Sequence, residues 1–285
     1  MRSYYDQASD KSNSPLIIGL TLVAFGTSAP ELFVSTAAAL RGLGDICVGN
    51  VVGSNICNIA LILGLSALVA PLAVNQELFR RDMPIMILAS IALSATCLFC
   101  GGMGRLVGLL FMIGIVVYTV VGIKSSSGAG EAQSAQMSRG AAALSVIGGL
   151  IALVGGAKLI LASAVALERR FGVPDEFIAL TVVAVGTSLP ELATSVVAAR
   201  KGEADIAIGN VVGSNIFNIL GILGASALLR PITIEGMSKV DFGMMIATAL
   251  VLIPLMRAHG QLARAEGAVL LLIYGGYLAW LIHAM

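Results

Sequence analysis

Charge is what this 285-residue sequence has least of: Asp, Glu, Lys and Arg together make up 12%, where a soluble domain carries roughly 25%. With 58% of its residues apolar, the chain cannot turn most of its surface to water, so the composition implies an integral membrane protein. A dense basic cluster is missing too, and the net charge is only +1, so no nucleic-acid partner is expected. An apolar leader is not seen either. Met1 to Pro15 are polar and lack the core of a secretory signal, which leaves insertion to the spans themselves. Cysteine is scarce: Cys47, Cys57, Cys97 and Cys100 all fall in apolar runs, as small core residues do. The CxxC of Cys97 and Cys100 has no His or carboxylate beside it, so neither a disulfide framework nor a metal knuckle is implied.

What the chain has instead is long apolar runs. Segments able to cross about 30 Å of hydrocarbon, roughly 20 residues each, lie at 16–40, 45–70, 83–101 and 104–123, and again at 140–167, 175–200, 204–229, 240–257 and 263–284. The expected organisation is a polar segment at 1–15, a first half of four helices over 16–123, a linker at 124–139 rich in Ser, Gly, Ala and Gln, and a second half of five helices over 140–284. The linker composition is that of a flexible connection.

The two halves repeat. GNVVGSNI at 49–56 recurs letter for letter at 209–216, and TLVAFGTSAPE at 21–31 returns as TVVAVGTSLPE at 181–191. Thr21 matches Thr181, Glu31 matches Glu191, Asn58 matches Asn218 and Pro71 matches Pro231, always 160 residues apart. The span at 140–167 has no counterpart, because its end aligns with the polar start of the chain. The expected pattern is five helices per half, with the first helix of the first half missing either because the start has been placed too late or because the chain is genuinely shortened. An odd number of crossings separates Glu31 from Glu191, so the copies run in opposite directions. In such inverted repeats the substrate site lies near the membrane midplane, at the repeat interface. Arg2, Lys11, Arg80, Arg81, Lys124, Arg139, Arg200, Lys201, Arg257 and Arg264 collect on one side, against Arg41, Arg105, Arg169, Arg170, Arg230 and Lys239 on the other. The richer side is expected in the cytoplasm. That places the N-terminus and the 124–139 linker inside, and the C-terminus outside.

Of the sixteen acidic residues, only Glu31 and Glu191 fall deep within a span, and an ionisable group at that depth is by default a functional candidate. Thr27 and Ser28 precede Glu31 by four and three residues, on the same helical face; Thr187 and Ser188 repeat the arrangement before Glu191. Pro30 and Pro190 have no N–H, which frees the carbonyls of Gly26 and Gly186. On the partner helices Asn50, Ser54 and Asn58 are spaced by four, as are Asn210, Ser214 and Asn218, so each set forms a polar stripe. Calcium takes six to eight oxygens from carboxylates, amides and carbonyls, and this set can supply them. Structural roles compete for the neutral residues, since Ser, Thr and Asn bridge membrane helices and Gly49 with Gly53 forms a close-packing pattern. The glutamates have no basic partner in the spans, Lys158 being the sole mid-span base. Asp45 and Asp205 are expected to cap their helices.

GTSAPE with GNVVGSNICNI, and GTSLPE with GNVVGSNIFNI, resemble the two alpha-repeats of the sodium/calcium exchanger family of cation/calcium antiporters, its prokaryotic members above all. The similarity runs from about Pro15 to the C-terminus. It implies an all-α polytopic bundle in the cell's inner (plasma) membrane that exchanges calcium for sodium by alternating access, with no cofactor and no enzymatic chemistry. By that resemblance Glu31 and Glu191 bridge the calcium and sodium sites. Thr27 and Thr187 contribute oxygens, Ser28 and Ser188 flank them, and Ser54 and Ser214 line the outer sodium sites. Asn58 and Asn218 line the middle site, and carbonyls near Ala24 and Ala184 complete the set. The family fold has ten helices, whereas about nine are expected here. The alternatives are a proton-coupled or potassium-assisted calcium exchanger and, from another class, a non-transporting membrane binding or scaffold protein.

Overall fold

The computed structural model describes residues 19–125, 174–257 and 260–284, with isolated positions between 156 and 172. The polar segment at 1–15, most of the linker, Lys158 and nearly all of the span expected at 140–167 lie outside the described residues. Among those described, every long element is a helix. The π-helical turn Gly19–Val23 runs into helix Ala24–Thr27 (together α1), followed by α2, Ala29–Arg41. Then come α3 (Gly44–Val69), α4 (Leu78–Cys100) and α5 (Arg105–Ser125). The second half repeats the order: α6 (Glu176–Thr187), α7 (Leu189–Arg200), α8 (Ala204–Leu229), α9 (Lys239–Arg257) and α10 (Arg264–Ala284). Six of these are single helices long and apolar enough to span a membrane, and the bent pair α6–α7 makes up to seven.

The spans expected at 16–40 and 175–200 are not continuous. Each breaks at a serine, Ser28 or Ser188, whose backbone leaves the helical region (ψ 9° and 7°) just before the Ala-Pro or Leu-Pro step. Proline suits the first turn of a new helix, where its missing N–H has no partner to lose, so the sequence stops one helix and starts another. The second break bends by 47°. α4 begins five residues earlier than the apolar run suggests, as a π-helical turn Leu78–Asp82 carrying Arg80 and Arg81.

Two short antiparallel pairings establish the inversion. Strand β1 (Leu72–Ala73) lies before α4 and β2 (Gly102–Met103) after it; β3 (Ile232–Thr233) lies before α9 and β4 (Gln261–Leu262) after it. β1 pairs with β4, Leu72 opposite Leu262, and β2 pairs with β3, Gly102 opposite Thr233. The start of α4 therefore meets the end of α9, and its end meets the start of α9. Since α4 and α9 are repeat counterparts, the halves are upside down relative to each other.

α3 and α8 form the centre. In their most apolar stretches 83% of residues are enclosed, against 22–39% for α4, α5, α9 and α10, which turn exposed leucines and valines such as Leu106, Val116 and Leu272 outward. Glycines allow the halves to touch. A Cβ on Gly53 would come within 2.7 Å of Ala184 Cβ and 2.8 Å of the Leu180 carbonyl, and one on Gly213 would collide with the Leu20 backbone. The repeated GxxxG spacing, Gly49 with Gly53 and Gly209 with Gly213, thus brings each central helix against the broken helix of the other half.

Asp45 and Asp205 do not cap their own helices, neither of which has a side-chain cap. The Asp45 carboxylate instead accepts the N–H groups of Glu235 (3.1 Å) and Gly236 (3.2 Å), tying the start of α3 to the loop after β3. Asp45 is the second residue of α3, past the N-cap position that Leu43 holds, so its carboxylate serves N–H groups of another loop.

Candidate functional site

At each break the chain presents two helix ends to the same region. Glu31 stands in the first turn of α2 and Glu191 in the first turn of α7, where the positive end of the half-helix dipole favours a negative charge. Ala24 and Ala184 stand in the last turns of the preceding short helices, where carbonyls lie at the negative end. A broken helix in each half thus supplies both a supported carboxylate and a carbonyl acceptor. That is how ion sites are built from discontinuous membrane helices.

The contacts cross between halves. Ser28 donates to Glu191 Oε1 at 3.0 Å, and Ser188 donates to Glu31 Oε1 at 3.0 Å. Ser214 Oγ lies 3.5 Å from both Glu191 Oε1 and the Ala24 carbonyl; Ser54 Oγ lies 3.5 Å from the Ala184 carbonyl and from Thr187 Oγ1. Thr27 donates within reach of Asn210 Oδ1 (3.1 Å) and the Val23 carbonyl (3.1 Å), and Thr187 within reach of Asn50 Oδ1 (3.1 Å) and the Val183 carbonyl (3.0 Å). The twelve residues expected from the sequence are therefore drawn into one interface, each hydroxyl and carboxylate meeting the other repeat.

Four acceptor oxygens in this interface are buried without a hydrogen-bond partner: Glu31 Oε2, Glu191 Oε2, Asn58 Oδ1 and Asn218 Oδ1. Their residues are all at 0% exposure. A buried polar atom left unpaired costs about 1–3 kcal/mol, and a charged one more. Two pairs of such atoms, symmetric between repeats, are the signature of a site completed by something electron-poor. The donor set is all oxygen, and no group of three or more His, Cys, Asp or Glu side chains comes together among the described residues. Oxygen-only sets suit hard cations rather than zinc or copper.

Some residues fall differently from expectation. Gly26 is exposed and Gly186 half-buried, while the carbonyls that the cluster's hydroxyls reach are those of Val23, Ala24, Val183 and Ala184. Asn50 and Asn210, on the expected polar stripe, spend both ends of their amides: they accept from the threonines and donate to Ser35 (2.9 Å) and Ser195 (3.0 Å). They hold the threonines in place. Asn55 and Asn215 sit off the stripe and were not picked out by its spacing of four, yet they are buried at the interface and bonded to Asn218 and Asn58. Their signal in the sequence is the letter-for-letter repeat of GNVVGSNI, in which a packing role alone would tolerate replacement of a polar residue. Asp82 and Asp241, read as helix-end residues, are buried too, each receiving a tyrosine hydroxyl, from Tyr118 (3.1 Å) and Tyr277 (2.8 Å). The cysteines are all free; Cys97 is buried and Cys100 exposed.

Comparison with known proteins gives one consistent result. Residues 6–124 and 141–283 match the family model described as sodium/calcium exchanger protein. The inner membrane protein YrbG of Escherichia coli (strain K12) is 38% identical over 281 residues, covering 94% of this chain and 85% of its own. The sodium/calcium exchanger MaX1 of Methanosarcina acetivorans is 33% identical over 318 residues, covering 95% and 89%. A solved structure of the sodium-calcium exchanger NCX_Mj, soaked with 2.5 mM Na+ and 0.1 mM Ca2+, superimposes with a TM-score of 0.73 at 31% identity, covering 93% of this chain and 86% of that one.

Proposed function

We propose that this chain, which belongs to the sodium/calcium exchanger family, is a secondary antiporter of the cell's inner (plasma) membrane that exchanges calcium for sodium by alternating access, without cofactor or covalent chemistry. The observation that carries the reading is the set of four unpartnered acceptor oxygens, two carboxylate and two amide, buried where the inverted repeats meet. Two carboxylates balance one calcium ion or two sodium ions. Excess positive charge in so dry a site is expensive, so the two cations compete for the same oxygens rather than occupy them together. Competition at one site reached alternately from the two sides is sufficient for coupled exchange.

In this reading Glu31 and Glu191 carry the charge that both ions share. Thr27, Thr187, Ser28 and Ser188 add hydroxyl oxygens at the helix breaks, Ser54 and Ser214 together with the Ala24 and Ala184 carbonyls form the outer sodium sites, and Asn58 and Asn218 form the middle one. The chain crosses the membrane nine times: the six unbroken helices, the two broken pairs α1–α2 and α6–α7, and the span at 140–167. The arginine-rich side lies in the cytoplasm with the 124–139 linker, and the end of α10 lies outside.

Purified protein in vesicles should take up calcium when an outward sodium gradient is imposed. Uptake driven equally well by a proton gradient alone, or absent without potassium, would identify a proton-coupled or potassium-assisted exchanger, and no uptake under any gradient would leave a non-transporting protein. For the topology, a reporter active only in the cytoplasm and fused after Met285 should stay silent; activity would overturn the nine-span orientation.

A further inference from the structure

Within the interface, four asparagine side chains are joined across the repeats by a mirrored set of hydrogen bonds. Asn55 Nδ2 donates to the backbone carbonyl of Asn215 at 3.3 Å, and Asn215 Nδ2 donates to the backbone carbonyl of Asn55 at 3.3 Å. Asn58 Nδ2 donates to Asn215 Oδ1 at 2.9 Å, and Asn218 Nδ2 donates to Asn55 Oδ1 at 3.1 Å. All four side chains are at 1% exposure or less, and every bond joins one repeat to the other.

The orientation of an amide is ordinarily ambiguous, because its oxygen and nitrogen exchange places on a half-turn. Here it is determined. A backbone carbonyl can only accept, so the nitrogens of Asn55 and Asn215 must face it, and their oxygens must face the other way. Those oxygens in turn require a donor, which among the described residues the Nδ2 groups of Asn218 and Asn58 provide. The remaining atoms, Asn58 Oδ1 and Asn218 Oδ1, are then left pointing away from the belt, buried and without a partner. Turning either amide round would set two acceptors against each other and bury an unmatched donor, at a cost of about 1–3 kcal/mol for each group left unpaired.

We propose that Asn55 and Asn215 are positioning residues of the exchange site: each fixes, from the opposite repeat, the amide whose oxygen binds the cation, Asn55 acting on Asn218 and Asn215 acting on Asn58. The inference rests on the exchange-site reading above. It assigns a role to residues that touch no ion and explains why both letters persist in the duplicated GNVVGSNI. It also makes the middle site a joint product of the halves, since neither repeat can orient its own asparagine.

The test is a pair of double-mutant cycles read by equilibrium calcium binding to the purified full chain. Asn55→Ala should weaken calcium binding about 10- to 100-fold, the usual effect of losing a group that orients a ligand. Combined with Asn218→Ala, whose oriented oxygen is already gone, it should add less than about 3-fold. Combined with Asn58→Ala, in its own helix, it should add nearly its full effect. Asn215→Ala should show the reverse pattern, coupling to Asn58 and not to Asn218. Residues that merely pack would weaken binding equally in both combinations, and that result, or an Asn55→Ala protein that binds as the parent does, would overturn the proposal. If the alanine variants do not yield monodisperse protein, Asn55→Ser and Asn215→Ser keep a hydrogen-bonding group in the gap and go through the same cycles with the same crossed pattern required. Glu31→Gln is measured alongside. Parental binding there would sink the exchange site itself, whereas lost binding there with uncrossed asparagine cycles would sink only the positioning role.

Discussion

The two repeats agree most closely around the glutamates and less closely away from them. Around the glutamates the contacts are near copies: 3.0 Å from each serine to the opposite carboxylate, and 3.1 Å from each threonine to the opposite asparagine. Away from the interface the matching breaks down. Asp82 shares one oxygen between Tyr118 and Arg81 and leaves Oδ2 unpartnered, whereas Asp241 fills one oxygen with Tyr277 and the other with the Ser238 backbone and hydroxyl. Cys57, buried, has Phe217 as its counterpart, which stacks edge-on against Phe25 at 4.9 Å. Symmetry is retained where, in the proposed exchange site, two halves offer equivalent ligands to one ion. It lapses where each helix only has to satisfy its own neighbours or lipid.

The severest way to break the symmetry is at the carboxylates. Glu31→Gln and Glu191→Gln each remove one of two charges facing a divalent ion, so sodium-driven calcium uptake should fall to background in both, and to the same extent. Neither should unfold the protein: a neutral amide in a fully buried site is cheaper to bury than an ion, so melting temperature without ions should hold or rise. Calcium uptake at the parental rate in either variant would show that the halves do not share the site.

The helix contact offers a finer comparison. Gly53→Ala forces a methyl against Ala184 and Leu180, and should destabilise the protein by about 1–3 kcal/mol, the usual cost of overpacking, with slower exchange. Gly26→Ala and Gly186→Ala meet no atom within 4 Å and should leave stability nearly unchanged. Thermal denaturation in one detergent ranks the three. Equal melting temperatures would mean that the repeats do not approach as closely as Gly53 requires.

A comparison of similar size separates the two buried Asp–Tyr pairs outside the interface. Tyr277→Phe strips Asp241 Oδ1 of its bond, whereas after Tyr118→Phe the Asp82 Oδ1 still receives Arg81 Nε at 3.1 Å. Losing a hydrogen bond to a charged group costs about 1.5–3 kcal/mol; Tyr277→Phe should lie within that range and Tyr118→Phe below it. The opposite order in denaturation would show that Arg81 does not support Asp82.

The sequence by itself determined the membrane class, the duplication, its inversion and the ten polar residues among the twelve drawn into the interface, because these depend on composition, on a constant offset and on which letters are too polar for their depth; Ala24 and Ala184 followed only from the family resemblance. That a helical hydrogen bond is lost at Pro30 and Pro190 was also legible, since proline's missing N–H is a local property. Only the tertiary structure decided what those residues meet. The break falls at Ser28 and Ser188, and the hydroxyls serve the opposite half's glutamates. Asp45 serves a distant loop rather than its own helix, and α4 extends back through Arg80, Arg81 and Asp82, because Asp82 finds partners in Arg81 and Tyr118. Asn55 and Asn215 remained hidden for the same reason. Periodicity along one helix reports which residues share a face, whereas the orientation of an amide is set by acceptors on another helix, 160 residues away in the chain.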